Sequence, residues 1–494
     1  MCGMTSHMTV HEPFLRLAAD LLGPRGLLRD PDVVSPWLTD WRGRFTGRAL
    51  AMAAPETTAQ LSALMALCSE HKVAVVPQGG NSGMCGGATP NASGTALLLS
   101  LRRMNAIRAL DAGGRKITCE AGVVLQSLHE AAHAAGLRFP LTLGGKGSAT
   151  VGGLISTNAG GSQVLRHGSM RAQVLGIEAV LANGAVFSAL TPLKKDNRGF
   201  DLKQLLIGSE GTLGIIAAAT LRLLPAVAER VVIWAGLPSL QAARTLLLYC
   251  EDQAGETLEG FEVLPDASLD AVLAYLPGAR APLTGRHEWH ALIELVAGSG
   301  GAETLPGRAE VMLTAAFEEG LLADAAIAAN EAQAEAFWLL RESIAPAERA
   351  KGPAVQHDIS VPVEHMPEFV AAAVPRLEAA WPGTQAIAFG HLGDGNVHFH
   401  VIAPPGTDTS DADSRTWQDT DGKAISRQVN DLVTEWGGSI SAEHGIGQLK
   451  LGELSRLTDP VSLAMMRSVK QALDPLGILN PGKLVPLAPG AVSA

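Results

Sequence analysis

The sequence predicts the α+β class: an α/β domain, then a second domain of strands with covering helices, then a helical C-terminal segment. Three observations carry the prediction. Between Pro55 and Leu223, apolar runs of strand length alternate with amphipathic helical stretches, and three glycine-rich loops interrupt them. After Pro225 the glycine loops stop, and apolar strands such as Val231–Gly236 and Ala291–Val296 take turns with longer helices. From Val461 a helix closes the chain, followed by the tail DPLGILNPGKLV.

The elements follow in order. Residues 11–29 read as an amphipathic helix ending near Gly23-Pro24, and Val33–Arg48 as an irregular lead-in. Pro55–His71 is a helix, with its start signal at Pro55-Glu56-Thr57-Thr58. Val73–Val76 is a buried strand that Pro77 ends. Leu97–Leu101 and Lys116–Glu120 are strands, and Leu125–Ala135 is a helix that Gly136 stops. Val174–Leu181 and Ala185–Ser188 form a hairpin about Asn183-Gly184, a pair that tolerates the positive φ of a tight turn. Phe200–Leu206 precedes the third glycine loop, and Ile215–Leu223 is a strand closed by Pro225. In the second domain Leu237–Glu251, Gly307–Glu319, Asn330–Arg349, Met366–Ala380 and Lys423–Trp436 are helices, and His357–Val363 is a strand. Pro404–Asp421 is a polar, exposed excursion. The expected segments are 1–44, 45–225, 226–440 and 441–494.

Composition removes several function classes. The chain has 494 residues, 47% of them hydrophobic and 18% charged, enough for two or three domains with cores of their own. A net charge of −11 argues against nucleic acid as a partner. No apolar run reaches the roughly 18 residues a membrane helix needs. The N-terminus MCGMTSHMTVHEPF lacks the basic and apolar regions of a signal peptide, so a cytoplasmic location is expected. Five scattered cysteines without a CxxC read as reduced, buried thiols. No GxGxxG occurs, and Gly477–Lys483 has Walker A spacing without the following Ser or Thr, so neither a Rossmann NAD site nor a P-loop is supported.

The glycine loops carry the first functional signal. Thr142–Met170 is dense in Gly, Ser, Thr and Asn, with almost no charge and no helical apolar period. Backbone N–H groups free to approach a ligand, with small hydroxyls beside them, suit a pyrophosphate and a flat polar ring system. Val151, Leu154 and Ile155 lie among the glycines, so the stretch is packed rather than a linker. Val75–Pro90 and Ile207–Ile216 repeat the composition, and three such loops point to one large extended cofactor.

These loops, with KDNRGFDLKQLLIGSEGTLGI, HLGDGNVHFH and SAEHGIG, resemble the FAD-dependent D-2-hydroxy acid dehydrogenases. That family belongs to the flavin superfamily of vanillyl-alcohol oxidase and p-cresol methylhydroxylase, and the D-2-hydroxyglutarate dehydrogenases look nearest. The resemblance runs from about Trp37 to Leu484. It implies a flavin domain of the p-cresol methylhydroxylase type, an antiparallel-sheet cap domain and a C-terminal segment returning to the flavin. The implied FAD-binding residues are Pro77, Gln78, Gly79, Gly80, Asn81, Ser82 and Gly83 in the first loop. In the second they are Gly144, Gly147, Ser148, Thr150, Gly153, Ser156, Thr157, Asn158, Gly160, Gly161 and Gly168. Glu210, Gly211, Gly214 and Ile215 follow in the third, and Asn480 in the tail. The flavin is expected to be non-covalent, because the attachment positions read Gly80-Asn81-Ser82 and Gly160-Gly161-Ser162. With no NAD motif, the electrons are expected to leave to an external acceptor such as an electron-transfer flavoprotein or a quinone. A homodimer is the expected assembly.

Chemistry in the second domain centres on Phe389–Val401, FGHLGDGNVHFHV. Alternation after the Gly393-Asp394-Gly395 turn puts His398 and His400 on one face of a strand, with His391 across the turn. Neutral imidazoles brought together this way suit a divalent metal, and a hydrogen-bonded pair of core histidines fits the same spacing. SAEHGIG adds Glu443, a carboxylate third ligand that leaves coordination positions open, as in catalytic zinc sites. The resemblance implies His391, His398 and Glu443 as ligands of a divalent metal, zinc, and His444 as the base accepting the substrate hydroxyl proton. His400 stands where relatives carry Asn. Trp338-Leu339-Leu340-Arg341-Glu342 resembles the WxxRE helix, whose Arg holds a substrate carboxylate with its planar fork. Gln356 stands where D-2-hydroxyglutarate dehydrogenases tend to have Lys, and Ala345 where they tend to have Thr. Arg341, His400 and Gln356 are thus the expected substrate-binding residues. D-2-hydroxyglutarate is the expected substrate, and D-lactate, glycolate or another D-2-hydroxy acid the alternative. A flavoprotein without enzymatic activity would keep the glycine loops and need no His444 beside the ligands.

Overall fold

The computed structural model describes residues 11–299, 304–407 and 416–486, and the chain divides into two compact units. The first takes the described residues up to Gly161, Gly168–Pro225 and the stretch from Glu443 onward. The second takes Ala226–Ala442 with the short piece Ser162–His167.

In the first unit a four-stranded sheet runs in the order Leu27–Leu28, Ala51–Ala53, Leu97–Ser100, Val75–Gln78. The last three strands are parallel. Val75–Gln78 is an edge strand, which explains why Pro77 lies inside it rather than ending it: the missing N–H faces no partner strand. A five-stranded sheet is antiparallel throughout, in the order Ile107–Asp111, Lys116–Glu120, Ile215–Arg222, Val174–Val180, Val186–Ala189. Helix Thr58–His71 starts where Thr57 accepts the N–H of Gln60, three residues later than the expected start at Pro55. A further local feature differs from the sequence reading. Val151–Thr157, within the second glycine loop, is a helix. Val151, Leu154 and Ile155 are spaced i, i+3, i+4 and bury one short stripe, which the surrounding glycines hid. Cys68, Cys85, Cys119 and Cys250 are free and buried, and Cys2 lies outside the described residues.

The second unit is a seven-stranded antiparallel sheet in the order Asp324–Ile327, Glu229–Leu237, Trp289–Ala297, Leu258–Pro265, Gln385–His391, Asn396–Ile402, Ala354–Ser360. Its two faces differ. Ala386, Ala388, Val397, Phe399 and Val401 point to an apolar core under helices Leu240–Ala254, Leu305–Glu318, Met366–Ala380 and Asp421–Glu435. The opposite face packs Trp234, Leu264, Leu292, Ile387 and Phe389 under Asp266–Tyr275, Glu331–Glu342 and Ile344–Lys351. The helix expected over Asn330–Arg349 is broken at Ser343. Pro346 has no N–H to give the carbonyl of Glu342, so it fits only the first turn of a new helix, Ile344–Lys351. Of the exposed excursion expected at Pro404–Asp421, residues 408–415 lie outside the described residues. No helix among the described residues is long and apolar enough to cross a membrane.

Candidate functional site

In the first unit the four segments expected to bind the cofactor meet. Gly79 and Gly80 run so close to Thr150 and Ser148 that a Cβ on Gly80 would collide with the Ser148 carbonyl. The N–H of Glu210 donates to Ser156 O at 2.8 Å, and that of Asn480 to Val75 O at 2.8 Å. Gln78 Nε2 donates to the carbonyls of Trp37 and Ala88, both at 3.0 Å. Asn480 Nδ2 donates to Gly87 O at 2.9 Å and to Glu210 O at 2.8 Å. The other polar atoms of these side chains, Gln78 Oε1 and Asn480 Oδ1, are buried without a partner among the described residues, as is Thr150 Oγ1. Buried polar atoms rarely go unpaired, so three of them at the expected cofactor positions fit a polar ligand supplied from outside the chain. FAD suits that cradle.

Other expected cofactor residues use their side chains to hold the loops. Asn81, at φ +53°, donates to Thr39 O at 2.9 Å. Asn158, at φ +50°, accepts from Ser169 Oγ and from the N–H of Arg171, each at 2.9 Å. Glu210 is buried, and its carboxylate accepts the N–H groups of Ile446 at 2.7 Å and Gly447 at 2.8 Å. Burial raises its pKa against the pull of those two donors. Glu210 thereby anchors the SAEHGIG turn that carries His444. Gly445 sits at φ +75°, where a Cβ would lie 2.7 Å from Glu210 Oε1. Lys483, also buried, is pushed down to about 8 by burial, with Glu210 drawing it up.

In the second unit, strand pairing gathers the other residues on one sheet face. Glu262 is opposite His391, Phe389 opposite His398, and His400 opposite Gln356. The rings of His391 and His398 are 5.4 Å apart, and Phe389 lies 5.1 Å from His398 and 5.0 Å from His400. Arg341 reaches in from helix Glu331–Glu342, 4.9 Å above the Phe389 ring. Its Nε donates to Glu262 Oε2 at 2.9 Å, and Nη2 forms an ion pair with the same oxygen at 2.8 Å. Glu262 Oε1 is 2.7 Å from His391 Nδ1. Burial would raise the Glu262 pKa, but the cation of Arg341 and the imidazole of His391 hold it well below the usual carboxylate range. Burial, with Arg341 and His391 beside it, pushes His398 well below the usual range and keeps it neutral. His400 Nδ1 is bonded to Glu348 Oε2.

Of the expected zinc ligands, His391 and His398 come together in the second unit, and Glu443 belongs to the first. Among the described residues no three His, Cys, Asp or Glu side chains are arranged to hold a metal ion. Sequence reading missed Glu262 and Glu348. Glu262 was visible as a carboxylate inside an apolar strand, LEGFEVLP, where only a cation makes it tolerable. Glu348 was visible only through Pro346, which restarts the helix and sets its direction.

Two family models match: "FAD linked oxidases, C-terminal domain" over residues 227–484 and "FAD binding domain" over 49–189. A mitochondrial D-2-hydroxyglutarate dehydrogenase of Arabidopsis thaliana is 36% identical over 472 residues, 94% of this chain and 80% of the relative. The D-2-hydroxyglutarate dehydrogenase of Xanthomonas citri pv. viticola is 36% identical over 458 residues, 93% of this chain and 94% of the relative. Among solved structures, p-cresol methylhydroxylase with substrate bound superposes with a TM-score of 0.74 at 15% identity, covering 96% of both chains. An alkyldihydroxyacetonephosphate synthase gives 0.70 at 16%, covering 95% of this chain and 84% of the other. At such identities these two structures support the fold alone.

Proposed function

Since the chain belongs to the FAD-linked oxidases, alongside the D-2-hydroxyglutarate dehydrogenases, we propose that it oxidises a D-2-hydroxy acid to the 2-oxo acid. FAD, when bound, supplies the acceptor for the C2 hydride and its electron pair. Gln78, Thr150 and Asn480 contribute the unpaired polar atoms that would hold it, with the backbone of the glycine loops. His444, on the turn that Glu210 anchors, accepts the hydroxyl proton as C2 loses its hydride. The electrons then leave to an external acceptor, for which an electron-transfer flavoprotein or a quinone is the class proposed.

The observation that carries this reading is the Arg341 guanidinium. Five N–H groups less the one hydrogen-bonded to Glu262 leave four, two of them on Nη2, which is 2.8 Å from the same carboxylate oxygen. Among the described residues no other acceptor reaches them, so they remain for a substrate carboxylate. Glu262 fixes the guanidinium plane from behind, and Phe389 supports it from below. D-2-hydroxyglutarate, the compound in the relatives' names, is the reference substrate. Anaerobic mixing with D- and L-2-hydroxy acids tests the proposal: bleaching of the oxidised flavin by a D-acid supports it, and an unbleached flavin throughout refutes it.

A further inference from the structure

The sheet face around Phe389 is short of cations. None of the four strands that form it, Leu258–Pro265, Gln385–His391, Asn396–Ile402 and Ala354–Ser360, contains Lys or Arg. Arg341 enters from a helix and has one edge committed to Glu262. Three buried carboxylates belong to the same cluster: Glu262 at 1% exposure, Glu348 at 0% and Asp358 at 4%. Glu348 lies beyond Phe389, bonded through Oε2 to His400 Nδ1. Its second oxygen, Oε1, is buried with no hydrogen-bond partner among the described residues. Gln356, the strand partner of His400, is neutral.

A carboxylate oxygen accepts hydrogen bonds and donates none. Left unpaired in a buried site it is costly, and a ligand group that donates to it removes that cost. A second substrate carboxylate would instead face Glu348 with no Lys or Arg on those four strands to balance it, and like charges brought together in a dry site repel. We propose that the end of the site formed by Glu348, His400 and Gln356 takes a neutral hydrogen-bond donor, a hydroxyl or carboxamide. The substrate would then be a D-2-hydroxy acid with a single carboxylate, the one Arg341 serves. Glu348 is the residue that sets this preference. The inference rests on the D-2-hydroxy acid reading above and narrows it away from the dicarboxylate in the relatives' names.

The test uses two probes of equal length, D-2-hydroxyglutarate and its 5-carboxamide, in anaerobic stopped-flow reduction of the FAD-loaded enzyme. The wild type should show a second-order reduction rate at least about tenfold higher for the amide, a difference of about 1.4 kcal/mol. E348Q, which replaces the acceptor oxygen by a group that can also donate, should lower the amide-to-acid ratio at least about tenfold. Equal rates for the two probes, or a preference for the dicarboxylate, overturn the inference. So does an unchanged ratio in E348Q, because Oε1 is then satisfied by solvent. Bleaching by other D-2-hydroxy acids but by neither probe overturns it as well, since substrates then never reach Glu348. If no 2-hydroxy acid bleaches the flavin, the proposed function itself fails, an outcome distinct from the others. The wild-type ratio stands alone if E348Q does not fold.

Discussion

Glu262→Gln removes one charge and almost no volume, so it isolates what holds Arg341 in place. In the wild type Nε and Nη2 of the guanidinium meet one buried carboxylate oxygen, at 2.9 and 2.8 Å. Breaking a buried ion pair by removing one partner costs about 3–5 kcal/mol, because the other charge is left uncompensated. Two features of this site reduce the figure. The amide oxygen still accepts a neutral hydrogen bond worth about 1 kcal/mol, and the Phe389 ring beneath the guanidinium contributes roughly 1 kcal/mol. The expected loss is therefore about 1–3 kcal/mol. For a unit of roughly 220 residues that lowers its melting temperature by about 2–12 °C. The acid limb should change too. Glu262 titrates below its ordinary 4.5 in the folded state. Its contribution to stability is thus fully present above that pH and lost as pH falls through the depressed value. Glu262→Gln should flatten stability there and bring it nearer the wild type as the medium becomes more acid. Calorimetry from pH 7 down to 3 measures both effects, and flavin content should stay at the wild-type level because the glycine loops are in the other unit. A melting temperature within 1 °C of wild type at pH 7 would refute the reasoning, since Arg341 would then not depend on Glu262 for its charge balance.

Three more expectations follow from named contacts. His444→Ala should slow flavin reduction by about 10²–10⁴-fold while changing substrate affinity less, as loss of a general base does; a slowing under about fivefold in stopped-flow would remove it from that role. Arg341→Ala should lower reduction rates of mono- and dicarboxylate substrates alike, by about one to two decades for a lost charged hydrogen bond of ~1.5–3 kcal/mol. A loss confined to dicarboxylates would place Arg341 at the far carboxylate instead. Lys483 titrates at about 8 when folded against an ordinary 10.5, so above pH 8 the unfolded chain binds the extra proton and stability rises with pH. Urea unfolding should show wild type gaining about 3 kcal/mol relative to Lys483→Met between pH 8 and 10.5, and parallel curves would show that Lys483 is not buried as a cation.

Much of the first unit was legible because its signals are local. Glycine loops after apolar strands, the Asn183-Gly184 hairpin and the cap at Thr57 are each written within a few residues. Pro77 misled because a proline ends a strand only where its N–H is needed, and edge position is a property of the whole sheet. The helix at Val151–Thr157 was hidden because its stripe is three residues long. In the second unit, alternation placed His398 and His400 on one face, which pairing with Phe389 and Gln356 bears out. Partners at long separation were illegible. Glu262 is 79 residues from Arg341, and Glu348 is 52 from His400. Such charge pairs depend on strand order and on a helix break, neither of which periodicity records.

The most direct test of the central claim is anaerobic titration of the FAD-loaded protein with D- and L-lactate and with D- and L-2-hydroxyglutarate, followed at the oxidised flavin band. The account predicts bleaching by at least one D-enantiomer, with one 2-oxo acid formed per flavin reduced and no bleaching by its L-counterpart. A flavin that stays oxidised with every 2-hydroxy acid, or that responds only to the L-series, would contradict it.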